Sequence, residues 1–266
     1  LFWPCTWGLS LAYYFQKDID VFLYYFFLFF CGSVLMRSAG CIVNDIVDEK
    51  IDKKVSRTKK RPIASGNLNK NLAWTYVILL CSLAFVVLIQ FNFLTISLGA
   101  FSMIFAFSYP FMKRFTYWPQ LFLGFTFNWG IIMGWTAIMN QISYLPLLLY
   151  IGAIFWTLGY DTIYGLQDLS DDEVIGVKST SIKFKKNLKL FIGMCYFLSS
   201  LFISFVMIKM DINFGFLFIF LFMASLFYQI KIFSIKKPKN SLKAFKLNNL
   251  SGLFVFLAIL IEVTKI

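Results

Sequence analysis

Long apolar runs separated by short polar segments dominate the chain. Nine such runs lie at about residues 1–15, 21–43, 72–91, 94–112, 120–139, 144–161, 188–208, 212–233 and 247–264. A helix that crosses a bilayer needs about 20 apolar residues, and most of the runs approach that length. The pattern predicts an all-α polytopic membrane protein, with about nine transmembrane helices in a single domain over residues 1–266. Because the first run begins abruptly at Leu1, we expect its helix to lack its upstream end.

The composition narrows the class further. Apolar residues make up 59% of the chain, charged residues only 14%, and there is no histidine. Catalytic relays and metal sites that need histidine are therefore excluded. The five cysteines form no C-x-x-C pair, which is typical of reduced packing residues. Secreted disulfide scaffolds, disordered tails and nucleic acid as a partner are also excluded, whereas the lipid bilayer is an expected one.

The positive charges predict an orientation in the membrane. Most of the 25 Lys and Arg residues lie in the segments after the second, fourth, sixth and eighth runs. The positive-inside rule places these segments on the cytoplasmic side. Only four of the 25 are Arg, and this preference for Lys resembles that of proteins encoded by AT-rich genomes. We therefore expect a bacterial inner membrane with the functional site on its cytoplasmic face, and a mitochondrial inner membrane is the alternative.

The acids are concentrated in two of these basic segments. Nine of the 13 acids form two clusters: Asp45, Asp48, Glu49 and Asp52, and Asp161, Asp168, Asp171, Asp172 and Glu173. Acids contribute little to orientation, and carboxylates at a membrane boundary are costly unless a cation is close to them. If the preceding helices continued through the clusters, each helix would carry oxygen ligands on one face. The two sets would be Asn44, Asp48 and Asp52, and Asp161, Asp168 and Asp172.

Facing carboxylates predict a hard divalent cation between them. Mg²⁺ prefers oxygen ligands, and it usually binds through one or two protein carboxylates while a substrate phosphate supplies further oxygens. Five cations nearby are suited to the remaining phosphate oxygens: Arg57, Arg61, Lys113, Arg114 and Lys178. Together these groups predict a diphosphate site. The alternative interpretation is that each cluster is a solvated helix end held by Lys–Asp pairs.

Three motifs carry a resemblance to a known family. Residues 44–52 read N-D-I-V-D-E-K-I-D and residues 57–66 read R-T-K-K-R-P-I-A-S-G. This pair, and the second acidic motif at residues 160–180, resemble the motifs of the UbiA family of intramembrane prenyltransferases. Residues 109–116 and 119–124 are similar to the corresponding segments of the branch of this family that prenylates 4-hydroxybenzoate. The resemblance covers nearly the whole chain.

The resemblance implies a nine-helix fold around a central cavity that opens to lipid. It also implies Mg²⁺-dependent transfer of a polyprenyl group from polyprenyl diphosphate to the ring of 4-hydroxybenzoate, ortho to the hydroxyl, in ubiquinone biosynthesis. One Mg²⁺ would be bound by Asn44, Asp48 and Asp52, and another by Asp161, Asp168 and Asp172. Substrates would be bound by Arg57, Arg61, Lys113, Arg114, Lys178, Tyr109 and Tyr164. The catalytic residues would be Asp168, Arg57 and Lys113.

Several alternatives stay open at this point. Another acceptor of the same family, such as a naphthoate, a chlorophyllide precursor or a glycerophosphate lipid, would use the same diphosphate site. A secondary transporter would also be polytopic and carry intramembrane acids. A structural subunit that only binds anionic lipid would leave both acidic clusters unexplained. The sequence determines neither the length of the prenyl chain nor the oligomeric state.

Overall fold

The structure, a computed structural model, describes residues 1–263. The end of the last predicted run at residue 264 and Lys265 lie outside these residues. Within them the regular structure is entirely helical, which confirms the predicted fold class. The α-helices are α1 (Phe2–Gln16), α2 (Ile19–Asp52), α3 (Lys70–Leu88), α4 (Phe93–Phe115), α5 (Pro119–Asn128), α6 (Gly130–Met139), α7 (Tyr144–Tyr164), α8 (Leu169–Ile175), α9 (Thr180–Lys183), α10 (Leu188–Lys209), α11 (Phe216–Ile232), α12 (Pro238–Lys246) and α13 (Asn248–Val263).

Seven helical segments in residues 1–263 are long and apolar enough to cross a membrane. The predicted run at 120–139 is one of them, formed by α5 and α6 in succession. Helices α1 and α11 coincide with two further predicted runs, but they have only 15 and 17 residues. The structure thus supports a polytopic membrane protein, while the count of nine spans stays a prediction.

Helix α2 extends well beyond the bilayer. Its 34 residues give a length of about 50 Å at 1.5 Å per residue, whereas the hydrocarbon core is about 30 Å thick. Asp18 caps its start by accepting hydrogen bonds from the backbone N–H groups of Asp20 and Val21, each 3.1 Å long. The predicted continuation of the helix through Asn44, Asp48 and Asp52 is confirmed, so these side chains lie four residues apart on one face.

Small residues bring α1 and α6 into close contact. A Cβ atom on Gly8 would lie 1.9 Å from the Ile131 carbonyl oxygen, and one on Gly134 would lie 2.4 Å from the Cys5 carbonyl oxygen. A Cβ on Gly130 would meet the Cys5 sulfur at 2.4 Å. The G-x-x-x-G pair therefore serves helix packing, as its spacing indicates.

Helices α7, α10, α11 and α13 enclose a set of buried polar side chains, here called the amide cluster: Trp156, Tyr196, Gln229, Asn248 and Ser251. Tyr196 donates to Gln229 Oε1 at 2.6 Å, and Trp156 donates to Asn248 Oδ1 at 2.9 Å. Gln229 Nε2 donates to Asn248 Oδ1 and to Ser251 Oγ, at 3.2 and 3.1 Å. Each polar group in the cluster has a partner inside the protein, so the cluster joins the helices without exposing charge to lipid.

The end of α7 differs from the expected continuous helix. The helix ends at Tyr164, a 3₁₀ turn spans Gly165–Gln167, and α8 follows. The reason lies in the returning chain: a Cβ on Gly165 would be 2.5 Å from Ser181 Oγ, which itself donates to the Thr162 carbonyl at 2.7 Å. Asp161, Asp168 and Asp172 consequently do not share one helical stripe, although the turn brings them to the same cavity.

Candidate active site

A cavity of about 170 Å³ lies where α2, α4 and α7 end, beneath the segments that follow α2 and α7. All but one of the predicted site residues line it: Asn44, Asp48, Asp52, Arg57, Arg61, Tyr109, Lys113, Asp161, Tyr164, Asp168, Asp172 and Lys178. The two acidic clusters therefore face one another across a single cavity, as the sequence predicts. Their facing arrangement is the geometric condition for a shared ligand.

The last turns of α2 form the first wall. Asp48 is only 1% exposed, and its Oδ2 forms an ion pair with Lys113 of α4. Asp52 lies one turn further along, where Arg61 Nη1 approaches its Oδ2 at 3.0 Å and also binds Asp45 Oδ1 at 2.8 Å. Cations from two other segments therefore neutralise this wall.

The second wall is tied to the first by Arg57. Its guanidinium donates from Nε and Nη2 to the two carboxylate oxygens of Asp168, at 2.8 and 2.5 Å, and it lies 5.5 Å from the centroid of the Tyr164 ring. The hydrogen bond from Arg57 to Asp168 raises the pKa of the guanidinium, which stays charged. Nearby, the backbone N–H of Ser56 donates to Asp171 Oδ2 at 2.8 Å. The segments after α2 and α7 are thus directly linked.

Two carboxylates of the second cluster have no such partner. Within residues 1–263, neither Asp161 nor Asp172 makes an ion pair or accepts a hydrogen bond through its side chain. Burial raises the pKa of Asp172 to about 6, and the charge of neighbouring Asp168 adds to the effect. Partly buried carboxylates of this kind are stabilised when a cation binds to them.

The outlying residue is Arg114, which lies outside this cavity. Its Nη2 donates to the Val47 carbonyl at 2.7 Å and forms a longer ion pair with Asp48 Oδ1 at 3.7 Å, so Arg114 contacts the helix that forms the first wall. Lys178 does line the cavity, where its Nζ donates to the Phe115 carbonyl at 3.3 Å. Lys113 and Arg114 therefore both pair with Asp48, but of the two only Lys113 lines the cavity.

The predicted metal ligands are close to cations in this structure. In the part of the chain that it describes, no group of three or more Cys, Asp or Glu side chains is arranged to hold a metal ion. Three of the predicted ligands are instead paired with cations: Asp48 with Lys113, Asp52 with Arg61, and Asp168 with Arg57. The donor set nevertheless suits Mg²⁺, because it consists of oxygens and because the buried Asp48 Oδ1 has no hydrogen-bond partner in the described part of the chain.

The sequence interpretation missed several polar neighbours. Thr58, Gln120 and Ser179 line the cavity, and Gln120 Oε1 accepts from the Thr180 backbone N–H at 3.0 Å. Thr58 donates to the Asp52 carbonyl at 3.1 Å, which folds the segment after α2 back over the helix end. A polar residue directly after the Pro that opens an apolar run was a usable signal for Gln120.

Arg37 lies within an apolar run, and the sequence motifs assign it no role. It is two turns before Asn44 on the same face of α2, and its guanidinium is 5.0 Å from the centroid of the Phe127 ring. Among the described residues it forms no ion pair, yet it is near enough for its charge to act on Asp161 and Tyr109. A cation inside a transmembrane segment is costly, which was the available signal.

Comparison with known proteins agrees with this geometry. The family described as "UbiA prenyltransferase family" matches residues 1–252, which include the whole cavity. The chain belongs to the UbiA prenyltransferase family. The resemblance drawn from the three motifs is thereby confirmed.

Similar proteins carry a consistent name. The chain is 48% identical over 193 residues to the mitochondrial 4-hydroxybenzoate polyprenyltransferase of Arabidopsis thaliana, covering 72% of the chain and 47% of that protein. It is 45% identical over 190 residues to the Homo sapiens protein of the same name, covering 71% and 51%. The chain thus spans about half the length of the curated relatives it matches. Their mitochondrial names conflict with the bacterial membrane favoured by the composition.

Solved structures support the fold. A UbiA homolog from Aeropyrum pernix K1 in its apo form superposes with a TM-score of 0.82 at 18% identity, covering 98% of the chain and 96% of that protein. A UbiA homolog from Archaeoglobus fulgidus, bound to DMAPP and Mg²⁺, gives 0.72 at 14% identity and covers 99% and 96%. The helical arrangement described above is therefore the arrangement found in this family.

Proposed function

We propose that this UbiA-family protein transfers a polyprenyl group from polyprenyl diphosphate to the aromatic ring of 4-hydroxybenzoate, ortho to the hydroxyl, with Mg²⁺ as cofactor and in ubiquinone biosynthesis. The observation that carries the proposal is the single cavity in which two acidic clusters face each other among Arg57, Arg61, Lys113 and Lys178. The names of the relatives support the acceptor. The Archaeoglobus fulgidus structure bound to DMAPP and Mg²⁺ supports the donor and the cofactor.

The cavity residues would divide the binding of the diphosphate. We assign one Mg²⁺ to Asn44, Asp48 and Asp52 and another to Asp161, Asp168 and Asp172. When bound, Mg²⁺ supplies positive charge that stabilises the diphosphate leaving group. Arg57, Arg61, Lys113 and Lys178 would bind the remaining phosphate oxygens, with Tyr109 and Tyr164 at the side of the substrate.

The reaction breaks the allylic carbon–oxygen bond, and its electron pair leaves with the diphosphate. The cations around the cavity stabilise this developing charge, so Arg57 and Lys113 act on the reacting group directly. The ring carbon ortho to the hydroxyl then bonds to the allylic carbon and loses its proton. We propose Asp168 as the base, which requires that Arg57 release it and turn to the diphosphate. If Asp168→Asn kept full turnover with an unchanged pH profile, this role would be wrong.

The acceptor needs a cation of its own, because it carries a carboxylate. Arg37 suits this role: it lies deeper along α2 than the diphosphate residues, and it makes no ion pair within residues 1–263. A guanidinium that already lies against Phe127 can hold a planar carboxylate by two parallel hydrogen bonds. We therefore propose that Arg37 orients 4-hydroxybenzoate.

The test is mass spectrometry of membranes that contain the protein, given a polyprenyl diphosphate, 4-hydroxybenzoate and Mg²⁺. The expected product is prenylated 4-hydroxybenzoate, formed without EDTA and absent with it. Membranes with the Asp48→Asn variant provide the matched control. Product from a naphthoate, a chlorophyllide precursor or a glycerophosphate lipid instead would keep the family chemistry and replace the acceptor.

The alternative that the protein is a secondary transporter can be tested with the same protein. Flux of a solute across proteoliposomes without any prenylated product would favour a secondary transporter over an enzyme. Of the two membranes left open by the sequence, the names of the relatives favour the mitochondrial one. We propose that the cavity lies on the positively charged side of that membrane.

A further inference from the structure

The segment between α11 and α13 has an unusual charge. Residues 212–261 contain no Asp or Glu, yet six lysines lie within 16 positions: Lys231, Lys236, Lys237, Lys239, Lys243 and Lys246. All six are exposed, and none forms an ion pair with a described residue. The proposed reaction uses none of them, so beyond orienting the chain in the membrane this positive surface has no assigned role.

Helix α12 organises this charge on one side. Lys239, Lys243 and Lys246 lie at positions i, i+4 and i+7, which share one face of a helix. Ser241 and Ala244 on the opposite face are buried. The helix is therefore amphipathic, with a row of lysines directed away from the protein and a small-residue face packed against it.

The packed face of α12 contacts a residue that lines the cavity. Helix α12 contacts α7 and the 3₁₀ turn that precedes Asp168. Its Phe245 ring lies 4.5 Å from the ring of Tyr164 and 5.7 Å from that of Tyr160, measured between centroids. Tyr164 lines the cavity, and it also lies beneath the Arg57 guanidinium. The helix that carries the lysine row therefore lies on the cavity side of the membrane. Its Phe245 contacts Tyr164, which lines the cavity.

We propose that α12 and the turn before it form a binding surface for the headgroups of anionic phospholipids. The charge is complementary to such headgroups, and the position is suitable because α12 leads directly into α13, within a segment (Pro238–Val263) that is long and apolar enough to cross a membrane. Clusters of four to eight lysines next to a transmembrane helix attract anionic lipid strongly. The amphipathic face fixes the lysines in one direction, which a flexible basic loop would not do.

Binding can be measured without enzyme activity. Native mass spectrometry of the purified protein, titrated with phosphatidylglycerol or with phosphatidylcholine, counts bound lipids directly. We expect the protein to prefer phosphatidylglycerol and the Lys239→Gln/Lys243→Gln variant to bind it roughly tenfold more weakly. The charge-preserving Lys239→Arg/Lys243→Arg variant should keep wild-type binding.

The matched control removes two charges elsewhere on the same side. Lys186 and Lys189 are exposed and make no ion pair with a described residue, so Lys186→Gln/Lys189→Gln changes the net charge equally. An equal loss of lipid binding in both double variants would overturn the proposal, because net charge alone would then explain it. Equal affinity for the two lipids, or binding of a short RNA in place of lipid, would overturn it as well.

A second measurement concerns the cavity and rests on the proposed function. Prenyl transfer in phosphatidylcholine vesicles should increase when phosphatidylglycerol is added, and this increase should be smaller for Lys239→Gln/Lys243→Gln than for the control. If the native mass spectra show the lipid preference but no prenylated product forms in any vesicle, the reaction is wrong and the lipid surface stands.

Discussion

Two of the polar regions inside this apolar bundle differ in how their polar atoms are satisfied. In the amide cluster, neutral side chains pair with one another, so nothing remains for a ligand to bind. In the cavity between the two acidic clusters, cations and carboxylates are only partly paired, and the buried Asp48 Oδ1 has no hydrogen-bond partner among residues 1–263. Satisfied polarity indicates a structural role, whereas unsatisfied charge indicates a ligand.

The contrast is sharpest at Asp161, which lacks an ion-pair partner within residues 1–263. We expect Asp161→Asn to reduce prenyl transfer by roughly two to three orders of magnitude, the size of effect seen when one electrostatic contact is removed from an active site. The melting temperature should be unchanged or higher, because the substitution removes a charge that forms no ion pair with a described residue. Product formation and thermal unfolding in detergent measure the two effects. An active variant with lower stability would place Asp161 with the structural group.

The adjacent cations Lys113 and Arg114 of α4 differ in position, because only Lys113 of the two lines the cavity. Lys113→Gln should raise the KM for polyprenyl diphosphate about tenfold or more, since a charge-assisted contact to phosphate is lost. Arg114→Gln should change it by about twofold or less, because that side chain lies outside the cavity and is partly exposed. Steady-state kinetics on both variants gives the comparison. Equal effects of the two substitutions on this KM would contradict the different positions of Lys113 and Arg114.

Arg37 tests whether the cavity has separate regions for its two substrates. Arg37→Gln should raise the KM for 4-hydroxybenzoate about tenfold and leave the KM for polyprenyl diphosphate nearly unchanged, because only the acceptor carboxylate loses its partner. The control is an acceptor without a carboxylate, which should be used equally by both proteins. If the diphosphate KM increased instead, Arg37 would belong to the donor site.

The smallest effect on turnover is expected in the amide cluster. Gln229→Leu removes the buried acceptor of the Tyr196 hydroxyl, whereas Asn248 Oδ1 keeps its hydrogen bond from Trp156, and the substitution should lower the free energy of unfolding by about 1–3 kcal/mol. The folded fraction should retain prenyl transfer within about twofold. Thermal unfolding followed by tryptophan fluorescence, with activity measured per folded molecule, distinguishes the two quantities. A stable but inactive variant would show that the cluster takes part in the reaction.

Much of this arrangement follows from the sequence for a physical reason. Apolar runs of bilayer length predict helices, and acids spaced by four residues predict one face of a helix, as α2 shows from Asn44 to Asp52. The break after Tyr164 depends instead on the contact of Gly165 with Ser181, which is distant in the chain. The same holds for the pairing of Arg57 with Asp168. The difference between Lys113, which lines the cavity, and Arg114, which does not, depends on the direction of α4, because two adjacent cations look equivalent in the sequence.

The central claim is that the two acidic clusters together hold a diphosphate ester through divalent cations. Its most direct test is the equilibrium binding of an unreactive prenyl diphosphate analogue to the purified protein, with Mg²⁺ and with EDTA. The account predicts tight binding only with Mg²⁺, weakened by Asp48→Asn in one cluster and by Asp168→Asn in the other. Equally tight binding in EDTA, or binding that either substitution leaves unchanged, would contradict it.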